Sequence, residues 1–160
     1  MGYDVYKHCL DVAYRYLSYR PRSEEEIKKR LQGRGFSTVV VEKIIEKLKE
    51  QDLINDLAFA EFWREARLAN KPKSKRLIIK ELGDKKVENN IIKQVTESID
   101  DESNAYILGQ NRARTLMHLD WVGFRRRLAN FLAYRGFSYE VIKHTVDILW
   151  EEREQENSKL

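Results

Sequence analysis

The chain has 160 residues, of which 35% are charged and 42% hydrophobic, and its 30 Lys and Arg against 26 Asp and Glu give a formal net charge of +4. The hydrophobic fraction is too high for a disordered chain, and the charges are too evenly mixed for a polybasic tail. Because no apolar run exceeds four residues, we exclude a transmembrane helix, and the early Asp4 is not typical of a signal peptide. A single cysteine, Cys9, excludes an internal disulfide and suits a reducing compartment, so we expect a cytoplasmic protein.

Helical periodicity runs through the whole chain. Only seven glycines and two prolines interrupt it, which argues against a turn-rich β fold. In the segment 39–54, for example, Val41, Ile45 and Leu48 lie on one apolar stripe. The pattern predicts an all-α fold of nine helices, near residues 4–19, 24–33, 38–51, 57–69, 75–83, 88–99, 101–117, 122–134 and 139–155.

An internal repeat organises these helices. The tetrapeptides RPRS at 20–23 and KPKS at 71–74 place the two prolines 51 residues apart, and Gly-Phe-Ser at 35–37 returns at 136–138. Apolar positions follow the same register, as in a repeat array. We therefore predict three tandem three-helix repeats that form an elongated, curved array, with repeat boundaries at 3–54, 55–100 and 101–156.

The residues between the predicted helices indicate how each helix begins. Ser23 is expected to cap the second helix, and Glu26 three positions later completes a capping box. Gly35 is expected to adopt a left-handed conformation, and Ser37 to cap the third helix. The third copy repeats this pattern. The second copy has Lys86 in place of the glycine, so we expect a different or more strained turn there.

Basic residues recur around the second helix of each copy. Residues 64–86 alone hold nine Lys and Arg against three acids. If the repeats stack, these clusters align into a stripe suited to a polyanionic partner, although charged runs also occur on ordinary solvated helix faces. The candidate stripe comprises Arg20, Arg22, Lys28, Lys29, Arg30 and Arg34 in the first copy, Lys71, Lys73, Lys75, Arg76 and Lys80 in the second, and Arg125, Arg126, Arg127 and Arg135 in the third.

Aromatic residues number 17, and most fall on predicted core positions, which favours packing over base stacking. Four tyrosines lie beside arginines and are the better candidates for an exposed role on a partner. They are Tyr14, Tyr16, Tyr19 and Tyr134.

The chain resembles the RecX family, bacterial regulators of the recombinase RecA, over essentially all of residues 3–155. The pieces that carry the resemblance are YLSYRPRSEEEIKKRL at 16–31, INDLAFAEFWREARL at 54–68, KPKSKRLIIKEL at 71–82 and YRGFSYEVI at 134–142. The missing glycine at 84–86 and a loosely matching start of the third copy depart from the family pattern.

The resemblance implies a non-enzymatic protein that binds RecA filaments on DNA and restrains their extension, ATP hydrolysis and strand exchange. It places the chain in recombination, DNA repair and the SOS response. The candidate stripe is then a RecA- or DNA-binding surface. We expect a monomer that meets DNA through the filament or binds it weakly directly, without a membrane.

Catalytic and metal-binding patterns are missing from the sequence. His8, His118 and His144 lie far apart, and no CxxC, HExxH or phosphate-binding glycine loop occurs. Cys9 lies on an amphipathic helix where a small buried residue is expected. We therefore expect no enzyme, no cofactor and no metal.

Two other functions remain open. A three-helix unit with a glycine turn resembles a helix-turn-helix DNA-binding module, but only the copy with Asn89 and Asn90 begins its third helix with side chains suited to reading bases. A general α-helical protein-interaction array, whose basic stripe faces an acidic protein, is the other alternative.

Overall fold

The computed structural model describes residues 2–159, and all regular secondary structure in that range is helical. This confirms the predicted all-α fold of three consecutive three-helix repeats. None of the helices within 2–159 is long and apolar enough to cross a membrane. The helices are α1 (Gly2–Leu17), α2 (Glu24–Gly33), α3 (Thr38–Glu50), α4 (Asp56–Leu68), α5 (Lys75–Asp84), α6 (Asn89–Thr96), α7 (Asp101–Ala113), α8 (Trp121–Tyr134) and α9 (Tyr139–Asn157), with a 3-10 helix at Arg114–Leu116.

Two of the predicted helices are shorter than the periodicity indicated. Helix α6 ends at Thr96 rather than near residue 99, and the chain leaves it through a turn in which the Ile99 N–H donates to the Thr96 carbonyl at 3.2 Å. Helix α7 ends at Ala113 and continues as the 3-10 helix. Tightening of a last turn into 3-10 geometry is common at helix ends and leaves little trace in the apolar pattern.

The predicted serine caps are present at the starts of three helices. Ser23 Oγ accepts a hydrogen bond from the Glu26 N–H at 3.1 Å, and the Glu26 carboxylate accepts one from the Ser23 N–H at 3.1 Å, so the capping box is complete. Ser37 and Ser138 cap α3 and α9 in the same way. Each cap satisfies amide groups that the helix itself leaves without acceptors.

The turn between the second and third helix of each repeat is left-handed. Gly35 and Gly136 both have φ of +89°. Lys86 occupies the equivalent place in the second repeat with φ of +58°, a region in which a side chain is strained. The prediction of a more strained turn in the second copy is therefore confirmed.

The chain divides into two compact units. The first extends to Arg64 and includes Glu81–Val95, and the second comprises Glu65–Lys80 and the chain from Thr96 onward. Residues of α4 and α5 are therefore shared between the units. The core of the first unit is built from Cys9, Ala13, Ile27, Leu31, Val41, Ile44, Ile45, Leu48 and Ile54. That of the second is built from Ala105, Leu108, Ala113, Leu116, Phe124, Leu128, Leu132, Phe137, Ile142, Val146 and Leu149.

Candidate functional site

Glu26 binds two cations at a partly buried position of the first unit. Its carboxylate accepts hydrogen bonds from the Arg20 guanidinium at 2.6 Å and from Lys85 Nζ at 2.8 Å. The same two cations lie over the Trp63 ring, at 5.7 and 4.7 Å from its centroid. Burial alone would raise the pKa of Glu26, but the hydrogen bonds from Arg20, Lys85 and the Ser23 N–H lower it to about 2. Arg20 is thus already held by a carboxylate.

Two further cations of the first copy are also paired. Lys28 Nζ lies 3.0 Å from Glu24 Oε1, and Lys29 Nζ lies 3.6 Å from Glu25 Oε1. Both pairs have the i,i+4 spacing that supports a solvated helix. Burial raises the pKa of Glu24, but its hydrogen bonds with Lys49 and Lys28 lower it on balance. Half of the first-copy candidates therefore have carboxylate partners within their own unit.

The remaining first-copy candidates gather around Tyr16. The Arg22 guanidinium carbon lies 3.9 Å from the centroid of the Tyr16 ring, and Arg22 Nε donates to the Tyr16 carbonyl at 3.3 Å. The Arg30 guanidinium carbon is 5.3 Å from the same centroid. A guanidinium at these distances is attracted by the aromatic ring. Tyr16 thus positions two of the arginines.

Two neighbouring hollows share Tyr16, Arg30 and Arg34. One has a volume of about 430 Å³ and includes Lys29, and the other, of about 370 Å³, includes Arg15 from α1 and Tyr19 from the turn that follows it. We call Arg15, Tyr16, Tyr19, Arg22, Arg30 and Arg34 the arginine–tyrosine cluster. The sequence pattern did not indicate Arg15, because it lies on the first helix of the repeat, whereas the recurring basic residues lie around the second. Its i,i+4 spacing to Tyr19 was the available signal.

The second-copy candidates Lys71, Lys73, Lys75, Arg76 and Lys80 all belong to the second unit. The Ser74 N–H donates to the Arg135 carbonyl at 3.0 Å, and Arg135 Nη1 donates to the Lys71 carbonyl at 3.2 Å. The Lys75 N–H donates to Asp101 Oδ1 at 2.8 Å. The structure therefore brings the KPKS loop against the glycine turn of the third repeat, which joins candidates from two copies.

The remaining third-copy candidates are Arg125, Arg126 and Arg127, which are exposed on α8. Arg125 also lies at the edge of a groove of about 430 Å³ between α8 and α9, with Trp121 and Ile142 among its lining residues. The sequence did not indicate this groove, since it depends on how the two helices pack.

The tyrosine candidates separate into two groups. Tyr19 and Tyr134 are 76% and 86% exposed. Tyr14 and Tyr16 are half-buried, and the Tyr14 hydroxyl donates to Gln51 Oε1 at 2.8 Å. Of the four candidates, Tyr19 and Tyr134 are the largely exposed ones.

Side chains that could hold a metal ion do not converge in the described part of the chain. Between residues 2 and 159, no group of three or more His, Cys, Asp or Glu side chains is arranged to hold a metal ion. Cys9 is fully buried, and burial raises its pKa to about 11. Such a thiol is a packing group rather than a nucleophile.

The fold and its surfaces define an all-helical repeat protein with separate basic clusters in its two units. Three protein-family models match consecutive parts of the chain. They describe the first three-helix domain of RecX, which matches residues 9–48, the second, which matches 55–95, and the third, which matches 100–146. Regulatory protein RecX of Amycolatopsis mediterranei is 31% identical over 145 residues, covering 86% of this chain and 83% of that protein.

A second relative and a solved structure agree with these matches. Regulatory protein RecX of Chlorobium phaeobacteroides is 32% identical over 141 residues, covering 88% of this chain and 93% of its own length. The crystal structure of RecX from Lactobacillus salivarius has a TM-score of 0.75 and 25% identity, covering 91% of this chain and 97% of that one. The chain belongs to the RecX family, which is a family of regulatory proteins.

Proposed function

We propose that this protein binds the RecA–DNA filament and restrains its extension, ATP hydrolysis and strand exchange. Membership of the RecX family over most of the chain is the observation that carries the proposal. The protein acts as a cytoplasmic monomer in recombination, DNA repair and the SOS response. Its three repeats, at 3–54, 55–100 and 101–156, bind in a groove between neighbouring RecA subunits and hinder subunit addition.

The basic residues of the second unit supply an electrostatic contact to the filament. Lys71 and Arg76 are exposed, and the hydrogen bonds between Arg135 and the 71–74 loop keep cations of two repeats on adjoining segments. Several cations held on rigid elements attract a polyanion more strongly than the same charges spread over a flexible chain. A nucleoprotein filament presents such a polyanion.

RecA-catalysed, DNA-dependent ATP hydrolysis tests the regulatory function. Substoichiometric amounts of this protein are expected to slow the reaction, since each bound molecule stops growth for many RecA subunits. An unchanged rate at every ratio of the two proteins would contradict the proposal.

A charge-reversal variant tests the surface separately. We expect Lys71→Glu, Lys73→Glu, Lys75→Glu and Arg76→Glu together to weaken filament binding and to reduce its dependence on salt. The matched control reverses four exposed lysines elsewhere, Lys7, Lys43, Lys93 and Lys159, and so changes the net charge equally. Equal losses in both variants would reject these four residues as the contact while leaving the regulatory function in place.

A further inference from the structure

None of the four arginines of the arginine–tyrosine cluster makes an ion pair with an acidic side chain of residues 2–159. Within residues 2–159, the side-chain nitrogens of Arg15, Arg30 and Arg34 make no ion pair, whereas Arg20, Lys28 and Lys29 of the same unit each bind a carboxylate within 4.0 Å. The three guanidiniums nevertheless line one hollow of about 370 Å³. Like charges repel at such a site unless an anion is bound between them.

The acids near this hollow do not neutralise it. Asp11 is the carboxylate that lines the hollow beside the three arginines. Glu26 borders the adjoining hollow, but it already binds Arg20 and Lys85. His8 also lines the site, with its ring 5.5 Å from that of Phe36. Three guanidinium groups and one carboxylate line this hollow, so its positive charge favours an anionic ligand.

Two aromatic rings accompany the arginines and narrow the class of anion. Arg22 and Arg30 lie over the Tyr16 ring, so Tyr16 serves to position them. Tyr19 lines the same hollow with a ring that is 76% exposed. An exposed aromatic ring beside guanidinium groups suits unpaired bases joined by phosphodiesters, because the base stacks on the ring and the guanidinium forks bind phosphate oxygens.

We propose that the hollow lined by Arg15, Arg30 and Arg34 binds the phosphates of single-stranded nucleic acid, with Tyr19 as the stacking surface for a base. This contact goes beyond the proposed function, because it requires no RecA. An acidic protein segment would pair with the arginines, but its carboxylates would not stack on the exposed Tyr19 ring.

Fluorescence anisotropy with a short labelled oligothymidylate, in the absence of RecA, tests the site. Arg30→Gln with Arg34→Gln is expected to weaken binding by about tenfold or more, since charge-assisted hydrogen bonds are lost. The slope of affinity against salt should also fall by about 0.7 for each lost phosphate contact. Both side chains are exposed, and circular dichroism checks that the variant is folded.

Matched variants separate this site from general electrostatics. Lys43→Gln with Lys93→Gln removes the same charge from exposed positions and should leave affinity within about twofold. Tyr19→Ala should weaken binding by about fivefold or more, whereas Tyr139→Ala, at a ring that is 75% exposed, should not. A duplex of the same length, whose bases are paired, should bind more weakly than the single strand.

Three results would overturn the proposal. The first is that the unaltered protein does not bind the oligothymidylate at low salt. The second is that the arginine-to-glutamine variant and its lysine-to-glutamine control lose the same amount of affinity. The third is that the arginine-to-glutamine variant keeps its full affinity. If that variant kept its affinity for the oligothymidylate but lost its effect on RecA, the cluster would instead bind an acidic protein surface. The three results that would overturn the proposal are all measured without RecA, so they leave the test of the regulatory function unaffected.

Discussion

Glu26 and Lys85 form an ion pair of 2.8 Å, although 59 residues separate them in the chain. Glu26 is the capping-box residue of α2, and Lys85 lies in the turn after α5. The contact therefore joins the start of the second helix in one repeat to the glycine-type turn of the next. In the second unit, Ser74 and Arg135 make the corresponding link through their backbones at 3.0 Å.

Replacing Glu26 by Gln should destabilise the protein. The substitution removes the negative charge that Arg20 and Lys85 share and leaves two cations without a carboxylate partner. Since the Glu26 side chain is only 11% exposed, we expect a loss of about 1 to 3 kcal/mol in the free energy of unfolding, measured by urea denaturation near neutral pH. Glu25→Gln, which affects only a surface pair, is the control and should cost less than about 0.5 kcal/mol.

The stabilisation by Glu26 should also depend on pH. Its pKa is lowered from an ordinary value of 4.5 to about 2 in the folded protein. A depressed pKa means that the stabilisation is fully present above about pH 4.5 and is lost as the pH falls toward about 2. The stability difference between the unaltered protein and Glu26→Gln should therefore shrink over that interval. A constant difference down to the lower value would show that the charge of Glu26 is not responsible.

The two left-handed glycines should respond differently to alanine. A Cβ at Gly136 would lie 2.4 Å from Leu77 Cγ and 2.6 Å from Ser74 Oγ, whereas one at Gly35 would meet nothing within 4 Å. Both substitutions incur left-handed strain of about 1 to 2 kcal/mol, and Gly136→Ala adds overpacking of about 1 to 3 kcal/mol. Thermal unfolding of the two variants measures the difference. Equal losses would contradict the packing of Ser74 and Leu77 on this turn.

Replacing Lys86 by Gly should stabilise the protein. Its φ of +58° is strained for a lysine and accessible to glycine. Because glycine also makes the unfolded chain more flexible, we expect a net gain of only about 1 kcal/mol in the free energy of unfolding. Lys86→Ala separates the two effects, since alanine removes the side chain but keeps the strain, and it should give no gain.

Cys9 should react slowly with thiol reagents in the folded protein. The side chain is fully buried, and its pKa rises from 9.0 to about 11, which reduces the thiolate fraction near neutral pH by about a hundredfold. We expect labelling by a chromogenic disulfide reagent to follow unfolding, with rapid reaction in urea. Fast labelling without denaturant would mean that α1 opens readily or that the thiol is more accessible than its packing indicates.

Local features of the fold were predictable because their causes are local. Ser23 and Glu26 lie three residues apart, so the capping box follows from the sequence alone. The left-handed turn at Gly35 follows from the identity of the residue. The strain at Lys86 was expected for the same reason, since the repeat register assigned it to a glycine position. The ends of α6 and α7 were less predictable, because the apolar pattern changes little where a helix tightens.

The basic surface was only partly predictable. Register placed Arg20 and Arg30 in the same cluster, yet the fold directs Arg20 to Glu26 and Arg30 to the Tyr16 ring. Arg15 was not included, although it lines the same hollow as Arg30. Spacing along one helix cannot reveal which charges are neutralised by residues from other helices.

The sequence by itself determined the helices, their caps and the three-fold repetition, because hydrophobic periodicity and capping act between residues a few positions apart. Only the tertiary structure decided which cations are paired and which remain available, because those pairs join residues far apart in the chain. The ion pair between Glu26 and Lys85 and the hollow shared by Arg15 and Arg34 both arise in this way. Some of the basic side chains behind the small net positive charge thus form ion pairs that stabilise the fold, and others face solvent.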